Sequence, residues 1–116
     1  MAASTDSACI FCKIVASEIP SKKVFENDRL LAFEDINPKA PTHVLLIPKK
    51  HFENLNDASS DPALLGELVA HSAAVAKKLG ISDFRLVANT GKEAGQLVNH
   101  LHFHLLAGRR MTWPPG

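Results

Sequence analysis

Residues 99–106 read Asn-His-Leu-His-Phe-His-Leu-Leu, with one apolar residue between His100 and His102 and one between His102 and His104. Half of the chain's six histidines therefore fall within five positions. A period of two is the mark of an extended strand, whose side chains alternate between faces. His100, His102 and His104 are expected on one face, with Leu101, Phe103 and Leu105 turned to the core. Two residues of strand advance about 6.5–7 Å, so the outer histidines stand on the order of 13 Å apart. One ion could bind two neighbours but hardly all three, and the imidazoles are expected to divide their duties. Crowding disfavours their protonated forms, which leaves them neutral and nucleophilic near pH 7.

Around this stretch the chain alternates strand-like and helical patterns. FRLVAN (84–89) and LVNHLHFHLLAG (97–108) read as two strands joined by a loop over 90–96. THVLLIP (42–48) is a continuous apolar run, expected as a central strand covered on both faces. KVFENDRLLAFEDI (23–36) divides about Glu26-Asn27-Asp28 into a hairpin. Asp61–Gly80 is the one long helix, capped by Asp61, started by Pro62 and stopped by Gly80. Its expected apolar face is Leu64, Leu65, Leu68, Val69, Val75, Ala76 and Leu79. CIFCKIVASEIPS (9–21) predicts a short helix ending before Pro20. Residues 1–8 are small and polar, a flexible leader to a single domain over 9–116. This order of elements fits an α+β fold with an antiparallel sheet.

The bulk properties exclude several classes. A chain of 116 residues makes one compact domain. The net charge of +1, with no long run of one sign, predicts neither a nucleic-acid nor a membrane-surface partner. The apolar runs are too short to span a bilayer, and MAASTDSA lacks the form of a secretory signal. Two cysteines are too few for a disulfide scaffold, and CxxC spacing points instead to metal or redox chemistry. A cytoplasmic location is expected. Cys9, Cys12, His51 and His100 form a candidate Cys₂His₂ zinc set. No Walker loop and no carboxylate cluster suited to Mg²⁺ is visible, so no catalytic metal is expected.

HLHFHLL matches the His-φ-His-φ-His-φ-φ signature of the histidine triad (HIT) superfamily of nucleotide hydrolases and transferases, φ being apolar. CIFCKIVASEIP, AFEDINPKAPTHVLLIPKKH, LVANTG and the closing RRMTWPPG also resemble segments of its Hint branch, the purine nucleoside phosphoramidase-like members, in the same order. The resemblance implies the HIT fold: a five-stranded antiparallel sheet with two helices, paired in homodimers whose sheets join into one of ten strands. It makes His102 the nucleophile that attacks the α-phosphorus of an AMP-linked amine or acyl group and carries the nucleotide transiently. Neutral imidazole suits that duty, being a good nucleophile at phosphorus and later a good leaving group. His100 would hold His102 through its carbonyl, His104 would attend the leaving group, and His43 would assist. A departing amine needs a proton, which makes an acid beside it valuable.

By the same resemblance, Asp35 would take the ribose hydroxyls, while Phe33 and Ile36 offer apolar surface to a purine. Asn89 and the Gly95-Gln96 main chain resemble a phosphate cradle. The zinc set looks like the one several family members carry. Trp113, on a tail that crosses to the partner in this branch, would shape leaving-group specificity in trans. Leu97 departs from the branch, where a serine commonly reaches the phosphate, and Asn99 stands where an aromatic is common. Two alternatives remain open: a dinucleoside polyphosphate hydrolase, and a nucleotide-binding or adaptor protein with weak catalysis, which Leu97 favours.

Overall fold

The computed structural model describes residues 8–116. The leader expected over residues 1–8 lies, Ala8 apart, outside the described residues. The chain begins with helix α1 (Ile10–Val15), followed by strands β1 (Lys23–Glu26), β2 (Leu30–Glu34) and β3 (Thr42–Pro48). Helices α2 (Leu55–Ala58) and α3 (Pro62–Lys78) precede β4 (Arg85–Val87) and β5 (Phe103–Ala107). The strands form one antiparallel sheet in the order β1-β2-β3-β5-β4.

Local chemistry explains each boundary. Asn27 makes the hairpin turn, its Oδ1 accepting from the Arg29 and Leu30 N–H groups at 2.9 and 2.8 Å. Asp61 caps α3 by accepting from the Leu64 N–H at 3.1 Å. Gly80, at φ +74°, ends it, with its own N–H on the Lys77 carbonyl and that of Ile81 on the Ala76 carbonyl.

β3 is buried on both faces, as its unbroken apolar run requires. Val44 and Leu46 pack with Leu30, Leu105 and the α3 residues Leu64, Leu68 and Val75. Leu45 and Ile47 pack on the other side with Leu31, Phe33 and the α1 residues Phe11 and Ile14. α1 covers only part of that second face, and the stretch of sheet it leaves open is where His43 and His104 stand.

Three expectations need correction. Val69 and Leu79 are about half exposed, and Ser72 takes the buried place between the turns, its hydroxyl donating to the Val69 carbonyl at 2.6 Å. The four-residue helix α2 adds a third helix; Asn54 caps it through the Asp57 N–H, a signal too local for a periodicity search. Most consequentially, β5 begins only at Phe103, opposite Leu46, so His104 alone of the three histidines lies in the ladder. Side-chain alternation nevertheless persists upstream: Leu101, Phe103 and Leu105 all face the α3 core.

Candidate active site

His102 is buried and held among three neighbours. Its Nδ1 is 2.7 Å from the His100 carbonyl oxygen. A carbonyl only accepts, so Nδ1 carries the proton and Nε2 presents a lone pair. The Phe11 ring stands edge-on to the imidazole at 5.1 Å, and His104 lies 4.9 Å away. Burial holds the His102 pKa below the ordinary histidine value, only partly offset by the His100 carbonyl and Asp35. The ring stays neutral where a nucleophile must be neutral.

His104 and His43 form a second hydrogen-bonded unit. The Lys39 main-chain N–H donates to His43 Nδ1 at 3.0 Å, so His43 carries its proton on Nε2. That atom is 2.8 Å from His104 Nδ1 and 3.4 Å from Asp35 Oδ2. His104 Nδ1 therefore accepts, and its proton sits on Nε2. Burial, with His102 and His43 alongside, lowers the His104 pKa to about 4. Burial also lowers that of His43, against the pull of Asp35. The two rings make a directed chain of donors that begins at a peptide N–H and ends at His104 Nε2. The Asp35, His43 and His104 ligand-type atoms all lie within 4.8 Å of one another.

A cleft of about 390 Å³ opens beside this unit, lined among others by Asp35, His43, Asn89, Leu97 and His104. The expected nucleotide residues are placed unevenly around it. Asp35 does two jobs, since its Oδ1 accepts from the Asn37 N–H at 2.8 Å in a turn while Oδ2 faces His43. Ile36 is 98% exposed, Leu97 93% and Trp113 82%, each free to meet a ligand or another chain. At that exposure Trp113 does not plug the core of its own chain.

Phe33 is a correction, because it is only 4% exposed and packs edge-on against Phe11 at 5.7 Å. It supports the site from behind and offers no open surface. The Gly95-Gln96 cradle is a second correction: these N–H groups donate to the Lys92 and Gly91 carbonyls, at 3.0 and 3.1 Å, within the loop. The Gln96 side chain staples that loop, accepting from the Gly91 N–H and donating to the Glu53 and Val98 carbonyls. Asn89 is left as the polar group of this region that lines the cleft.

The candidate metal set converges. Cys9 Sγ is 3.3 Å from His100 Nδ1, Cys12 Sγ 3.3 Å from His51 Nδ1, and the two Nδ1 atoms are 3.2 Å apart. All four ligand atoms lie within 4.8 Å of one another. A tetrahedral zinc ion with the usual bond lengths would have ligand edges of about 3.3–3.8 Å, so this set fits one. His100 is fully buried, and its Nε2–H donates to the Pro48 carbonyl at 2.8 Å, which aims the Nδ1 lone pair at the thiols. Burial lowers its pKa to about 4.

Sequence reasoning missed Phe11, Lys39 and Pro48. The last two act through main-chain atoms and leave no mark in residue type. Phe11 stands inside the CxxC motif and contacts both His100 and His102, which gave a visible if weak signal. His71 lies apart from both clusters as an ordinary helix residue, its ring Nδ1–H donating to the Glu67 carbonyl one turn back.

Comparison with known proteins places this geometry. The HIT domain matches residues 16–111. The Arabidopsis thaliana protein named adenylylsulfatase HINT1 is 46% identical over 119 residues, covering 99% of this chain and 81% of that protein. A 14 kDa zinc-binding protein of Zea mays is 47% identical over 115 residues, covering 96% and 90%. The crystal structure of a HIT family hydrolase from Legionella pneumophila superposes with a TM-score of 0.89 at 50% identity, covering 93% of this chain and 99% of that one. A triad of histidines on the expected scaffold, with matches that span nearly the whole chain, is decisive: the chain belongs to the HIT domain family.

Proposed function

We propose that this protein, a single domain over residues 9–116, hydrolyses AMP-linked amines or acyl groups through a nucleotide adduct on His102. The carrying observation is the His102 Nδ1–H bond to the His100 carbonyl, which leaves Nε2 free beside His104. In the first half-reaction His104 takes up a second proton from solvent, Nε2 of His102 attacks the α-phosphorus and the P–N bond breaks, the amine departing with a proton from His104 Nε2. In the second, water opens the phosphorus–histidine bond, releases AMP and returns a proton to His104. Asp35 takes the ribose, and Asn89 faces the phosphate. The name of the Arabidopsis relative adds adenylyl sulfate as a further substrate of the same attack, with sulfate leaving.

Cys9, Cys12, His51 and His100 would hold a zinc ion, a reading that the name of the maize relative and the fit of the four atoms support. Four protein ligands leave no open position, so such an ion cross-links and takes no part in the chemistry. Cys9 and Cys12 as thiols suit the reducing cytoplasm, where we place the reaction. No helix among the described residues is long and apolar enough to cross a membrane. The working unit is a homodimer, in which Trp113 reaches the partner's cleft. The test is AMP release from adenosine phosphoramidate without added metal. Wild type releases AMP and His102→Ala does not; equal release by both would end the proposal.

A further inference from the structure

The nucleophile is not held by the sheet. Pairing of β5 with β3 starts at Phe103, and residues 97–102 run as bends and irregular chain. His102, and the His100 carbonyl that fixes its tautomer, both lie upstream of the first ladder pair. Something else must hold them to within the few tenths of an ångström that a positioned nucleophile requires.

Three contacts do so, and all lead to one group. The His100 ring is pinned between the Pro48 carbonyl and the two thiols, at 2.8 Å from the first and 3.3 and 3.6 Å from the Cys9 and Cys12 sulfurs. The Leu101 N–H donates to the Phe52 carbonyl at 2.7 Å, clipping the chain beside His100 to the residue after His51. Phe11, between the two cysteines, lays its ring edge-on to His100 at 5.8 Å and to His102 at 5.1 Å. The same short segment thus supplies both thiols and the ring that packs on the nucleophile. Cys9 is also the N-cap of α1, its sulfur accepting from the Cys12 N–H, so displacing either thiol displaces Phe11.

We infer that Cys9, Cys12 and His51, converging with His100 on one bound ion, are positioning residues for His102. Their closure holds the His100 backbone, and the His100 carbonyl in turn holds the His102 Nδ1–H. A change at the thiols is transmitted to the nucleophile through one residue whose side chain serves one site and whose carbonyl serves the other. This inference rests on the reading of His102 as nucleophile, and its test separates the two.

The full-length protein is compared zinc-loaded and metal-stripped, by histidine ¹⁵N NMR and by steady-state kinetics on adenosine phosphoramidate. Loaded protein should show one sharp Nδ1–H signal for His102. Stripping should broaden or move it and lower kcat about tenfold or more, with KM within about twofold, the size expected when the support of a ligand is removed. The amide signals of β2 and β3 report that the sheet stays folded. Unchanged kcat and an unchanged His102 signal in stripped, folded protein overturn the inference and leave the hydrolase reading standing. A metal-sensitive His102 signal in a loaded protein that releases no AMP would sink the hydrolase reading and keep the coupling. Should stripping melt the protein, His51→Asn, which keeps both thiols and His100, is measured the same way; a wild-type signal and kcat there also overturn the inference.

Discussion

The proton position on His104 is set by a peptide group two hydrogen bonds away. Because Lys39 N–H donates to His43 Nδ1, His43 must donate onward, and His104 must keep its proton on the atom facing the cleft. Its worth should depend on what departs. An amine leaves poorly without a proton, whereas sulfate leaves as a stable anion. His104→Asn should slow hydrolysis of adenosine phosphoramidate by about 10²–10⁴-fold. The same substitution should slow hydrolysis of adenylyl sulfate far less, on the order of tenfold, in parallel AMP-release assays. Equal losses on both would show that His104 serves the phosphate rather than the leaving group.

The segment that carries the triad couples chemistry to acid sensitivity. His100 and His104 are held neutral in the folded chain down to about pH 4, against about 6.5 when unfolded. Between those values the unfolded chain binds more protons, so stability is complete above pH 6.5 and is lost as pH falls toward 4. Urea midpoints should drop steeply between pH 6.5 and 4.5, and His104→Asn should flatten that slope by about one proton. An identical slope in the variant would place the acid sensitivity elsewhere.

The alternation of His and apolar residues made this segment's two faces legible in the sequence, and the run Thr42–Pro48 announced a central strand. What could not be read was where pairing stops, because Asn99, His100 and Leu101 keep the same alternation as the strand beyond them. Their main chain turns away to meet Phe52 and the thiols, a tertiary demand with no local signal. Phe33 was misjudged for a like reason: an aromatic beside Asp35 looks like a base-binding surface until Phe11 is seen covering it.

On the scale of the molecule, the exposed Trp113 and Leu97 suit a cleft completed by a second chain. Light scattering should give the mass of two chains. Removing residues 112–116 should leave that mass unchanged while shifting the preference between aromatic and small amine leaving groups about tenfold or more, the discrimination one apolar contact can supply. An unchanged preference would confine Trp113 to the surface of its own subunit. Among the described residues there are two sets of ligand-type side chains, and what lies behind one ring in each separates their fates. A carbonyl behind His100, from Pro48, takes the ring's proton and leaves a lone pair for an ion. The peptide N–H of Lys39 behind His43 does the reverse, and an ion at His43 Nε2 would force two donors to face each other. Excess nickel should therefore load the sulfur set while leaving hydrolysis uninhibited, and nickel inhibition reversed by Asp35→Asn would refute this. Two main-chain atoms of opposite polarity thus decide which of the two sets offers an ion its lone pairs and which keeps a proton in the way.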